Sequence, residues 1–96
     1  MIKIKDKHIA ITGTLLFYNR EEAFDQISCR GGIPQNTVTT ETDYLVVGYY
    51  RKGVLNGDKS NKQMKAEKYI SQGKKIELIP GEEFVVALWN IPVYSL

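Results

Sequence analysis

Cysteine and histidine are almost absent from this chain, one of each in 96 residues, and their scarcity removes whole classes of chemistry. Cys29 alone cannot close an internal disulfide, which fits a reducing compartment, and it is expected to pack as a small apolar residue. His8 is the sole imidazole and sits beside an apolar run, so neither a zinc site nor a Cys–His pair is expected. No apolar stretch approaches the roughly 18 residues of a membrane span, and no secretory leader is recognisable, so the expectation is a soluble intracellular protein. Internal repeats, low-complexity tracts and interdomain linkers are also missing. The chain reads as one domain over 1–96, with a core from about 3 to 88 and a tail from 89 to 96.

Apolar (43%) and charged (25%) contents are those of an ordinary folded domain, so disorder is not expected. A domain of this size buries roughly two-thirds of its unfolded surface and holds a core without staples. The net charge of +2 is too small to indicate a nucleic-acid binder. Its distribution is more informative, because residues 51–75 carry eight cations against two carboxylates, Asp58 and Glu67. Such one-sided charge suits either an anionic partner or a solvated lysine-rich helix.

"KHIAIT" reads as a short buried strand. Asn19 can cap a helix with Glu21 and Glu22 in its first turn and Ala23, Phe24 and Ile27 on one face, stopped by Gly31-Gly32. "IPQNTVTTET" leaves room for a short edge strand around Thr37 to Thr39, with Pro34 suited to an edge. "DYLVVG" is the strongest strand, and "YYRKGVLNGDKSN" is a long exposed loop. Ser60 or Asn61 begins a second helix with Ala66, Tyr69 and Ile70 inward and Gly73 as its stop. "KIELI" makes a last strand, and "PGEEFVVALW" a last helix carrying Phe84, Val85 and Leu88 on one side.

The order β-α-β-β-α-β-α predicts an α/β fold, a mostly parallel sheet with helices on both faces. Ligands of such sheets meet the carboxyl ends of the strands, and Thr12-Gly13 ends the first strand. Other motifs carry less. "GVLNGDKSN" fails as a P-loop because glycine does not directly precede lysine and Asp58 would face the phosphates. Glu21-Glu22 and Glu82-Glu83 sit in first helical turns, where the helix dipole explains them. Trp89, Tyr94 and the tail "WNIPVYSL" either cap the core or form a partner surface, with packing the expectation. Tyr49 and Tyr50 beside Arg51 and Lys52 are a weaker candidate for stacking on a base.

"KIKDKHIAITGTLLFYNREEAFDQISCRGG", "TTETDYLVVG" and "SNKQMKAEKYISQGKKIELIPGEEFVVAL" together resemble a BRCT domain. The likeness is to the single repeats of bacterial NAD-dependent DNA ligases, epsilon-like exonucleases and the replication factor C large subunit. The resemblance implies a four-stranded parallel sheet flanked by three helices, and a phosphate pocket. That pocket would comprise Thr12, Gly13 and Lys65, with Lys62 or Lys68 as alternative second-helix ligands, and Arg20 at the start of the first helix. Asp6 stands where many relatives have glycine.

In such a pocket the Thr12 hydroxyl and Gly13 amide donate to phosphate oxygens, a lysine adds a point charge, and Arg20 adds a planar fork. The expected function is therefore a non-catalytic module of DNA replication or repair that binds 5′-phosphorylated DNA ends, bacterial-type, cytoplasmic and nucleoid-associated. Lys62, Lys68, Arg51 and Lys52 are candidate DNA-backbone contacts. Phosphopeptide readers of this family use two repeats with a groove between them, and only one fits here. The alternative is a phosphate-independent protein–protein module docking other replication or repair proteins through the Tyr49–Asn61 loop and the Trp89 tail. No cofactor, metal or membrane is expected. A small hydrolase would need a metal-binding carboxylate or nucleophile where the first strand instead offers threonine and glycine.

Overall fold

A computed structural model describes residues 2–49 and 60–90. The elements run β1 (His8–Thr12), α1 (Arg20–Cys29), β2 (Ile33–Gln35), β3 (Tyr44–Val47), α2 (Asn61–Ser71), β4 (Glu77–Pro80) and α3 (Gly81–Asn90). The four strands form one parallel sheet in the order β2-β1-β3-β4. This is the α/β class, topology and element order that the sequence predicts.

Alternation along β1 and β3 divides the core between the two faces. Ile9, Ile11, Tyr44, Val46 and Ile79 pack with Ala23 and Ile27 of α1 and with Phe84, Val85 and Leu88 of α3. Ala10 and Leu45 point the other way, with Val38 and Ile76, onto Ala66 of α2. The helices therefore lie two against one, α1 and α2 on opposite faces as right-handed crossovers leaving the central β1–β3 pair in opposite directions require, and α3 beside α1.

Local chemistry fixes the helix ends. The Asn19 side chain accepts from the Glu22 amide at 2.8 Å while Glu22 accepts from the Asn19 amide at 2.9 Å, a reciprocal capping box. Ser60 caps α2 by accepting from the Gln63 amide. At the other end of α1, Gly31 sits at φ +81° and its amide donates to Ser28, while the Gly32 amide donates to Ile27. That is a Schellman stop, and α2 closes in the same way at Gly73.

Several details differ from expectation. The edge strand is Ile33–Gln35, not Thr37–Thr39, because the chain leaves the Schellman turn directly into pairing, the Ile33 amide donating to Lys7. Pro34 then turns its donor-less nitrogen to the open edge. The "TTET" stretch is instead a knot of threonine bonds, with buried Thr42 donating to Gln35 and accepting from the Thr39 amide. Ile70 is largely exposed, since the inward stripe of α2 runs through Ala66 and Tyr69. Cys29 is exposed at the end of α1 rather than packed. Trp89 is 61% exposed rather than capping the core, and residues 91–96 lie outside the described ones. Asp6 has φ +63°, which explains why glycine suits that position. Phe17 has φ +70°, rare for an aromatic residue, and is 74% exposed.

No motif in the sequence marks Arg30, yet it is buried and joins two helices. Its guanidinium donates to the Leu88 carbonyl of α3 at 2.7 Å and to the carbonyl and side chain of Gln26. A planar fork serves both directions at once, which a lysine ammonium cannot match. Arg30→Ala is expected to lower stability by about 2–4 kcal/mol in urea unfolding, with Arg30→Lys recovering little. A loss below about 1 kcal/mol would show that the bridge is incidental.

Candidate functional site at the carboxyl end of the sheet

The end of β1 is pinned by backbone. The Gly48 amide donates to the Thr12 carbonyl at 2.8 Å, and Thr14 and Tyr49 exchange two further bonds just beyond the strands. This brings the two chains so close that a Cβ on Gly13, at φ +81°, would lie 2.9 Å from the Tyr49 carbonyl oxygen. Glycine is therefore demanded at position 13 by the protein's own backbone, not by a ligand's approach.

The same bond orients the Gly13 amide. In a trans peptide the C=O and N–H point in opposite directions, so a Thr12 carbonyl aimed at β3 turns the Gly13 N–H toward the β2 side. There β2 has already ended, at Gln35 paired with Ala10. Among the described residues the Gly13 amide has no acceptor. The Ile11 carbonyl points to the same vacated side, and the Lys62 ammonium, from the first turn of α2, donates to it at 2.9 Å.

Arg20 completes the cluster. It is exposed at the first position of α1 and lines a cleft of ≈ 250 Å³ with Ile11, Gly13, Thr14, Leu15, Tyr18 and Asn19. Among the described residues neither Arg20 nor Lys62 makes an ion pair. Burial, and then the Arg20 charge, push the Lys62 pKa below the ordinary lysine value. Two like charges are thus held within electrostatic reach of one another, beside an unpartnered amide.

The remaining candidates are placed differently. Thr12 is buried, and its hydroxyl donates to Ser60 Oγ at 2.8 Å, tying β1 to the N-cap of α2. The exposed threonine lining the cleft is Thr14, which the sequence reading did not single out because it lies outside the Thr-Gly pair. Lys65 is exposed on α2, and it is Lys62 that reaches β1. The reason is helical phase: Lys62 shares the inward stripe of Ala66 and Tyr69, whereas Lys65 lies to its side. Lys68 is exposed in the last turn. Arg51, Lys52 and Tyr50 lie outside the described residues, while Tyr49 donates its phenol to Glu82. That bond, then burial and the carboxylate charge, raise the Tyr49 pKa.

The chain is similar to DNA ligases. It is 38% identical over 82 residues to a DNA ligase of Aquifex aeolicus (strain VF5), covering 85% of the chain and 10% of that protein. It is 36% identical over 80 residues to one of Thermoanaerobacter sp. (strain X514), covering 79% of the chain and 11% of the relative. A DNA ligase of Bifidobacterium animalis subsp. lactis (strain AD011) matches at 40% over 45 residues, 47% of the chain. The chain therefore spans only about a tenth of the length of the relatives that it matches over most of its own. No protein-family model matches it. Among the described residues no helix is long and apolar enough to cross a membrane.

The cost of holding Lys62 charged has a definite sign. A lysine whose pKa is lower folded than unfolded binds more protons in the unfolded state between the two values, so stability rises with pH through that alkaline window. Lys62→Met is expected to remove this rise and to leave stability at pH 7 within about 1 kcal/mol of the parent, the net worth of one hydrogen bond. Urea unfolding at several pH values between 7 and the lysine range checks this. An unchanged alkaline rise in the variant would assign it to another group.

Proposed function

We propose that this chain is a BRCT-like, non-catalytic module of DNA replication or repair that holds the 5′-phosphate of a DNA end. The observation that carries the reading is that Arg20 and the Gly13 amide line one cleft while Lys62 donates to the Ile11 carbonyl at its wall, with no ion pair to either cation and no acceptor for the amide among the described residues. A phosphate dianion offers each donor an oxygen, relieves the mutual repulsion and restores the Lys62 pKa. Arg20 supplies two parallel donors and Lys62 one point charge. Thr14 supplies a hydroxyl at the rim. Thr12 has the indirect task of holding Ser60 and with it the start of α2. Lys65 and Lys68, both exposed on α2, extend the positive surface along a backbone.

Similarity to a short stretch of DNA ligases supports a DNA-directed role. The second reading, docking of an unmodified protein, has its own support in a shallow groove of ≈ 280 Å³. Val47, Leu78, Ile79 and Pro80 line it, with Gln63 of α2.

A blunt duplex carrying 5′-phosphates is expected to bind at least tenfold more tightly than the same duplex with 5′-hydroxyls. Arg20→Ala and Lys62→Met should each erase most of that ratio, and Lys65→Met should leave it in place while weakening both duplexes alike. Fluorescence anisotropy at fixed salt reads all of these. Equal affinities for the two duplexes would remove the terminal phosphate from the account and favour the groove reading.

A further inference from the structure

We infer that Phe17 and Trp89 form a stacking platform for the terminal base of the DNA end whose 5′-phosphate enters the cleft, an inference that rests on the reading above. The two rings pack at 5.8 Å between centroids with planes 46° apart, and both lie largely in solvent. Val86, one turn before Trp89 on α3, is half exposed on the same side. Among the described residues this face stays largely in solvent, yet Phe17 is held there with φ +70°, a conformation that glycine or asparagine would adopt more easily. An outlier of this kind, on a residue with little burial to compensate it, marks a position kept for contact.

Its location supplies the occupant. Phe17 belongs to the β1–α1 connection whose residues Leu15, Tyr18 and Asn19 line the phosphate cleft. It precedes Arg20 by three residues, so the two Cα atoms are at most about 11 Å apart. A ligand gripped by Arg20 through its phosphate therefore has its own first base within reach of the Phe17 ring. Aromatic faces accept any base, so the platform adds affinity without sequence preference. An unmodified protein would account for the apolar rings but not for Arg20, three residues along the chain from Phe17.

Trp89 is the only tryptophan in the chain, so its fluorescence reports this contact alone. Four probes separate the parts: inorganic phosphate, a blunt 5′-phosphorylated duplex, the same duplex with 5′-hydroxyls, and one whose 5′-phosphate sits on an abasic terminal nucleotide. The phosphorylated duplex is expected to quench Trp89 and inorganic phosphate to leave it unchanged. The abasic end should bind roughly five- to tenfold more weakly without quenching. Phe17→Ala should weaken the intact end to a similar degree while preserving the preference for phosphate over hydroxyl, with the fold verified by circular dichroism. Equal binding of intact and abasic ends, with Trp89 unmoved and the phosphate preference kept, overturns the platform and leaves the cleft standing. Equal quenching by phosphate and hydroxyl ends overturns the cleft and leaves the platform standing. A Trp89 signal that follows protein concentration without DNA, with dimers in sedimentation, overturns the platform in favour of contact between copies of this chain.

Discussion

The hydrogen bond from the Gly48 amide to the Thr12 carbonyl governs the end of the sheet where the candidate site lies. By committing that carbonyl to β3, it turns the next amide outward, past the end of a β2 strand only three residues long. It also draws the β1 and β3 ends so close that position 13 tolerates only glycine. The Thr12 side chain, emerging on the opposite face, fixes Ser60 and so sets where α2 begins. Because α2 begins there, Lys62 in its first turn arrives above the Ile11 carbonyl. One backbone bond and one side-chain bond, both made by Thr12, thus position an amide, a strand-end carbonyl and an ammonium.

The site then runs against the rules that stabilise the rest of the domain. Elsewhere the helix ends are capped, the core alternates cleanly across the sheet, and buried Arg30 is satisfied in two directions. At the carboxyl end of β1, an amide lacks an acceptor among the described residues, a lysine is partly desolvated next to an arginine, and an aromatic residue adopts a left-handed backbone in solvent. Local inconsistency of this kind, concentrated at one place on an otherwise consistent fold, is the mark of a surface shaped for something other than stability. The electrostatic part is modest in energy, since Arg20 is exposed and screened, but it is directional.

Hydrophobic periodicity and turn residues sufficed for the architecture: three helices, four strands, their order and their parallel pairing follow from alternation, caps and glycine stops. The edge strand escaped because three residues with a central proline leave no periodic signal, and because polar "TTET" gives no hint of its internal bonds. At the site, the sequence brought Thr12, Gly13 and Arg20 to the correct end of the sheet but not their separate tasks. Whether a threonine hydroxyl faces a cleft or a helix cap depends on which face of the strand it occupies. Lys62 and Lys65 differ only in helical phase, and that phase becomes legible once Ala66 and Tyr69 are recognised as the inward stripe. Arg30 and Trp89 were invisible in opposite senses, one a charge that is buried and the other a large ring that is not.

The most direct measurement is a two-dimensional amide spectrum recorded while 5′-phosphorylated and 5′-hydroxyl duplexes are titrated in turn. A phosphate oxygen accepting from the Gly13 amide should move that resonance strongly downfield with the phosphorylated duplex alone, together with Thr14, Arg20 and the first turn of α2. A Gly13 resonance that stays in place while other amides shift, or that moves equally with both duplexes, would contradict the account.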